Sequence, residues 1–230
     1  MFRFKQFCVD DDRSSMKTGT DAVLLAAWCD VSGVSRILDI GTGCGLIALI
    51  MAQRTTALIT AIDIDEDSVL QACKNFQRSP WSNRLFAQTI SLQDYQDSAF
   101  DLLISNPPYF SNALKVPDND SRNNARHNHF LSFDSLARHA VRLLNHSGKF
   151  CLILPPDEFS AFESEANIHH LFLQKLLLVY GKPESTVKRK LGVFGFESLP
   201  LEIESLIIRD DNGQYTDDYR HLTSELYLNF

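Results

Sequence analysis

The stretch Ser35-Arg36-Ile37-Leu38-Asp39-Ile40-Gly41-Thr42-Gly43-Cys44-Gly45, followed by the apolar run Leu46 to Gln53, constrains this chain most. An apolar run, a turn with three glycines, and a second apolar run read as strand, tight turn and helix. Leu58-Ile59-Thr60-Ala61-Ile62 then reads as a second strand that ends at Asp63. Such a unit demands a parallel sheet, because two parallel strands need a crossover between them. An acid about twenty residues beyond a glycine turn stands where it can accept both hydroxyls of a ribose. The turn lets a ligand approach the main chain, so the pair fits a nucleoside cofactor.

The remaining pattern extends that unit. A helix is expected from about Glu66 to Arg78, with Asp65 or Asp67 at its start, and a third strand within Arg84 to Leu92. Leu102-Leu103-Ile104 reads as a fourth strand, Phe133 to Leu144 as a helix, and Asn145 to Gly148 as the turn closing it. Lys149 to Leu154 follows as a fifth strand, stopped by Pro155-Pro156, and Asp157 to Ile168 as a helix. Further strands are expected at Leu171 to Tyr180, Lys188 to Glu197 and Ser205 to Ile208, and a tail from about Thr216 to Leu228 reads as a helix and then apolar anchoring residues. Near the start, the alternation of Phe2, Phe4 and Phe7 with polar residues predicts a short strand. Thr20 or Asp21 is the expected N-cap of a helix over Ala22 to Trp28. Strands alternating with helices, then a strand-rich end, predict an α/β Rossmann-like fold with a mostly parallel sheet and an antiparallel C-terminal edge. One domain is expected over 1–230. It divides into an N-terminal extension and helix (1–34), a core (35–209) and a tail (210–230).

Composition narrows the classes. The 230 residues suit one domain with a sizeable core, and 44% of them are hydrophobic, which argues against disorder throughout. No apolar run is long enough to span a bilayer, and Met1 to Gln6 is not a secretory signal. Five scattered cysteines without a C-x-x-C spacing predict reduced thiols in the cytoplasm rather than a disulfide frame or zinc site. His127 and His129 lack a partner at ligand spacing, so no metal is expected. The net charge of −7 argues against tight non-specific nucleic-acid binding, although it leaves room for a local basic surface.

The fourth strand runs into Asn106-Pro107-Pro108-Tyr109. Two prolines stiffen the turn and have no N–H. Asn106 offers an acceptor oxygen and Tyr109 a flat face. This platform suits a planar, amino-bearing group, and it stands at the crevice where the cofactor is expected. The turn lacks the full G-x-G-x-x-G pattern for a dinucleotide and the Lys-Ser/Thr of a triphosphate loop. The combination therefore favours S-adenosylmethionine over a nicotinamide cofactor and an oxidoreductase. It also favours an enzyme over a binding subunit that merely keeps the fold.

On these residues the chain resembles the class I methyltransferases that carry an N-P-P-Y motif. These methylate exocyclic amines of adenine or guanine, or a protein glutamine amide. A narrower resemblance rests on Phe4-Lys5-Gln6-Phe7, on Met16 to Leu25, on Asp39 to Ile47, on Asn106 to Phe110, and on the ending Tyr215-Thr216 with Leu222 to Leu228. These segments look like the bacterial family that N6-methylates adenine 37 of a valine tRNA. The central motif alone leaves a glutamine amide or guanine N2 open as the alternative, and the two chain ends favour tRNA.

The resemblance implies site roles. Asn106, Pro107, Pro108 and Tyr109 would be catalytic. Asp39, Gly41 and Gly43 would lie near the methionine part of the cofactor and Asp63 on its ribose. Lys17 and Thr20 would close over it, although alone they read as a solvated turn. Ser91 and Leu92 would meet the cofactor adenine by register, with Asp94 as the alternative. The candidate RNA contacts are Arg3 and Lys5, Arg122 and Arg126, and Lys188 and Arg189. Each cluster also reads as a solvated loop, and their recurrence near the expected mouth favours contact. The oligomeric state is left open, with a monomer slightly preferred.

Overall fold

A computed structural model describes residues 1–13, 18–108 and 131–228. Ten strands appear among them: β1 (Phe2–Arg3), β2 (Cys8–Val9), β3 (Arg36–Ile40), β4 (Leu58–Asp63), β5 (Leu85–Thr89), β6 (Phe100–Ser105), β7 (Leu144–Leu154), β8 (Phe172–Tyr180), β9 (Val187–Gly195) and β10 (Glu202–Ile207). The helices among the same residues are α1 (Thr20–Trp28), α2 (Leu46–Arg54), α3 (Glu66–Gln77), α4 (Phe133–Leu143), α5 (Pro156–Ile168) and α6 (Asp217–Thr223).

Eight strands form one sheet in the order β10-β8-β9-β7-β6-β3-β4-β5. Its centre, β3 with β4 and β6, is parallel, as are β4 with β5 and β6 with β7. The inner strands are near-continuous runs of apolar residues because both faces are covered. One face packs against α1, α2 and α6, with Ala72 and Phe76 of α3. The other packs against α4 and α5. Only β9 is reversed among these eight strands. It pairs antiparallel with both β7 and β8, and the outermost β10 returns to parallel pairing with β8. The expected antiparallel pairing is thus present, one step inside the edge.

Local chemistry explains the helix starts. The Asp65 carboxylate caps α3, accepting from the Ser68 amide at 3.2 Å and its hydroxyl at 2.6 Å. Ser132 Oγ accepts from the Ser135 amide at 3.1 Å at the start of α4, and Pro156 occupies the first turn of α5, where its missing N–H costs nothing.

Three expectations are corrected. The phenylalanines at the N-terminus do not line one strand. Phe4 donates its amide to the Phe7 carbonyl at 2.9 Å, turning β1 back on β2. Buried Phe4 stacks on Phe7 and Tyr227, so the rings anchor the two chain ends together. Neither Thr20 nor Asp21 caps α1. Its N-cap is Gly19, without a side-chain bond, because Asp21 instead meets Arg189 at 2.6 Å. The turn expected at Asn145 to Gly148 is absorbed into β7, held by Asn145 Nδ2 donating to Asp101 Oδ1 at 2.5 Å. The tail matches its expectation, a helix that stops at Thr223 and then apolar residues, with Leu226 buried in the core. Beyond the helix the Leu226 carbonyl accepts from the Lys5 amide at 2.9 Å.

Candidate active site

The sheet order reverses at β3. From there the chain moves outward through β4 to β5, then jumps back past β3 to β6. Ligands of open α/β sheets lie outside the carboxyl ends at such a switch point. Ile40 of β3 is level with Ser105 of β6, so the glycine turn and Asn106 emerge side by side. Ser105 Oγ donates to the Ile40 carbonyl at 2.9 Å, tying the two strand ends.

The glycines at this edge have distinct tasks. Gly41 has φ 73° and a Cβ there would meet nothing within 4 Å, so it leaves open space over the main chain. Gly45 has φ 84°, and a Cβ would stand 2.5 Å from the Phe76 ring. It is required for helix-to-helix packing as well as for its left-handed backbone.

A cavity of about 680 Å³ opens above the turn. Gly41, Gly43, Asp63, Asn106 and Pro108 line it, with Thr20 on the far wall. Its size falls within the range of cofactor sites.

Two acids stand at this edge: Asp63 lines the cavity, and Asp39 lies behind it without lining it. Asp39 is fully buried. Burial pushes its carboxyl up to about 7, the Thr42 hydroxyl and the Ala48 amide draw it back, and nearby Asp63 raises it. Thr42 Oγ1 donates to Asp39 Oδ2 at 2.6 Å. Asp39 Oδ1 is buried without a hydrogen bond to any described residue. Asp63, half exposed, accepts the Gly43 amide on Oδ2 at 2.9 Å and the Asp65 amide on Oδ1 at 3.0 Å. Each of its oxygens keeps a further lone-pair site for a hydroxyl donor.

Asn106 Oδ1 is likewise buried without a partner among the described residues. Leaving a buried acceptor unsatisfied costs about 1–3 kcal/mol, which a bound N–H donor relieves. Pro107 is buried and Pro108 exposed. These features fit S-adenosylmethionine. Open backbone at Gly41 faces one part of it, the unpartnered Asp39 Oδ1 suits its ammonium end, and Asp63 suits its ribose.

Beyond β5 the geometry distinguishes the three candidates. Leu92 lines the cavity, together with Ile90 and Gln93. Ser91 donates its hydroxyl to Asp94 Oδ2 at 2.7 Å and accepts the Asp94 amide at 3.1 Å, and neither lines the cavity. Ile90, Gln93 and Thr42 were not singled out from the sequence. The alternation Ile90-Ser91-Leu92 contained the signal for Ile90, since residues two apart share a face.

Arg189 lines the cavity from β9, beside Asp21. Lys188 is exposed next to it, whereas Arg3 and Lys5 lie exposed in the N-terminal hairpin and line neither this cavity nor its neighbour. Lys17, Tyr109, Arg122 and Arg126 fall outside the described residues. Among those described, no group of His, Cys, Asp and Glu is placed to hold a metal, and no helix is long and apolar enough to cross a membrane.

A switch-point cavity with a glycine turn, an acid closing β4 and an Asn-Pro-Pro platform is the arrangement of a class I S-adenosylmethionine-dependent methyltransferase. The methyltransferase small domain model matches residues 14–157. A predicted O-methyltransferase of Agrobacterium tumefaciens has the same fold, with a TM-score of 0.71 at 19% identity over 90% of this chain and 96% of its own. The human methyltransferase 10 domain containing protein aligns with a TM-score of 0.57 at 15% identity, over 83% of this chain and 90% of its own. Sequence relatives are nearer. A protein of Phocaeicola vulgatus is 46% identical over 99% of this chain and 97% of its own length. Another of Trichodesmium erythraeum is 43% identical over 100% and 98%. Both are named tRNA1(Val) (adenine(37)-N6)-methyltransferase, and the chain belongs to this family.

Proposed function

We propose that this protein transfers a methyl group to N6 of adenine 37 in the anticodon loop of a valine tRNA, the reaction for which its relatives are named. The single observation that carries the chemistry is Asn106 Oδ1, a buried acceptor with no partner among the described residues, opening on the same cavity as Asp63 and the glycine turn.

The amino group of adenine is a poor nucleophile because its lone pair is delocalised into the ring. Asn106 Oδ1 accepts one of its hydrogens and the Pro107 carbonyl the other. Both bonds draw the nitrogen towards a tetrahedral form and turn its lone pair to the cofactor side. Asp63 holds the ribose and Asp39 the ammonium end. S-adenosylmethionine supplies an electrophilic methyl group when bound. Orienting the reactants accounts for much of the rate, since alignment is worth roughly 7–11 kcal/mol. The acceptors act as preorganised dipoles. Tyr109 stacks on the base, and such contacts contribute about 1–3 kcal/mol. A loop adenine leaves its own stack to reach the platform, and a tRNA substrate places the enzyme in the cytoplasm.

The test incubates the protein with labelled methyl donor and bulk tRNA, and in parallel with a release-factor-like protein. Digestion of the tRNA is expected to yield N6-methyladenosine. Label appearing only as methylglutamine would overturn the assignment.

A further inference from the structure

A second cavity of about 380 Å³ adjoins the first, sharing Thr20, Asp21 and Arg189 with it. Its position follows from the reversal of β9. Lys190 is level with Leu154 at the carboxyl end of β7, and Val187 with Tyr180 at the carboxyl end of β8. Ile207 of β10 is level with Tyr180 in turn. The start of β9 and the ends of β8 and β10 therefore continue the rim on which Asn106 stands. At ~4.8 Å per strand, β9 and β8 lie about 10 and 14 Å along that rim from β6. That span is within reach of a nucleotide neighbouring the target.

The cavity has an apolar floor of Leu24, Val179, Ile208 and buried Tyr219. Around it stand three cations, Lys188, Arg189 and Arg209, against one carboxylate, Asp21. Arg189 is paired with Asp21 at 2.6 Å. Arg209 donates to the Gly213 carbonyl at 2.6 Å and lies 4.0 Å over the Tyr215 ring. Its guanidinium is thus held in place with a flat aromatic beside it. Lys188 is exposed and makes no ion pair with any described residue. An apolar bed bordered by a fixed guanidinium and an exposed ammonium is the chemistry that takes a base and its phosphate.

We propose that this second cavity is a subsite for a nucleotide flanking the target adenine, its base against the apolar floor of Leu24, Val179 and Ile208, its phosphate against Lys188 and Arg209. Tyr215 is already sandwiched by Arg209 and Tyr219 and serves to hold the guanidinium. The inference rests on the tRNA reading above. It explains how a protein of net charge −7 engages a polyanion, since the positive charge is concentrated where the strand leaves the platform.

Two variants test it without touching the first cavity. Lys188→Glu reverses one exposed charge. Gly181→Leu fills the mouth, because a Cβ at Gly181 meets nothing nearer than Lys188 Cγ at 3.9 Å. Binding of a labelled anticodon stem-loop RNA is measured as salt is varied, and S-adenosylhomocysteine binding is measured alongside. Each variant is expected to weaken RNA binding by roughly tenfold or more, the loss of one charge-assisted contact or one stack. Lys188→Glu is also expected to flatten the salt dependence by about one counterion. S-adenosylhomocysteine affinity is expected to stay within about twofold of the parent, because neither side chain borders the cofactor. RNA affinity unchanged in both variants, while the parent protein methylates tRNA, would overturn the subsite and leave the tRNA reading intact. A parent protein that neither binds nor methylates RNA would overturn both, and a methylated protein glutamine in its place would assign the rim to a peptide.

Discussion

If Asp39 receives the ammonium end of the cofactor, binding is expected to be sensitive to pH near neutrality. Burial pushes its carboxyl from the ordinary 3.8 up to about 7. If only the ionised form receives the ammonium end of the cofactor, occupancy follows the ionised fraction. That fraction is about one tenth at pH 6 and nine tenths at pH 8, roughly a ninefold gain in affinity, or about 1.3 kcal/mol. Binding at pH 7 should then release about half a proton. Stability of the free protein runs the opposite way. A carboxyl raised above its unfolded value stabilises fully below about pH 4, and that contribution of roughly 4 kcal/mol is lost as pH rises through about 7. The assay is calorimetric titration of S-adenosylhomocysteine at pH 6, 7 and 8, in pairs of buffers with different ionisation heats. Asp39→Asn, run in parallel, isolates the ligand's own titration. An affinity flat from pH 6 to 8 without proton release, or a profile that Asp39→Asn reproduces, would refute the reasoning.

Two further outcomes are expected. Asn106→Ala should lower kcat by about 10²–10³, the scale of losing one preorganised partner of the reacting group, and leave S-adenosylhomocysteine binding largely intact; near-normal turnover would remove Asn106 from its assigned role. Gly45→Ala should destabilise the fold by about 1–3 kcal/mol in urea unfolding, since its Cβ would meet the Phe76 ring at 2.5 Å on a left-handed backbone; an unchanged midpoint would mean that the ring gives way freely.

The sequence revealed most where one residue type serves one physical need. Glycines before an apolar run, and an acid closing the next strand, locate the switch point because few other residues can turn there. Both lie where the periodicity predicts. It was less informative where partners are distant. Asp21 reads as a cap, yet its carboxylate meets Arg189, 168 residues away. The phenylalanines at positions 4 and 7 alternate loosely like a strand, but their packing against Tyr227 bends them into a hairpin. The third-strand candidates illustrate the same limit. Ser91 and Asp94 both look polar and available, and only the folded chain shows them bonded to each other. No local pattern announces the second cavity, whose walls come from α1, β8, β9, α6 and the segment between β10 and α6.

The reversal of β9 divides the loops of the C-terminal half into two kinds. Residues 181–186 join β8 to β9 at the rim, whereas 196–201 join β9 to β10 at the opposite end of the sheet. Lengthening or shortening the first reshapes the mouth that an incoming substrate meets; the same change in the second is silent there. The sheet can therefore acquire new substrate preferences through a single short connection, with the glycine turn, Asp63 and Asn106, all in the first half of the chain, left untouched.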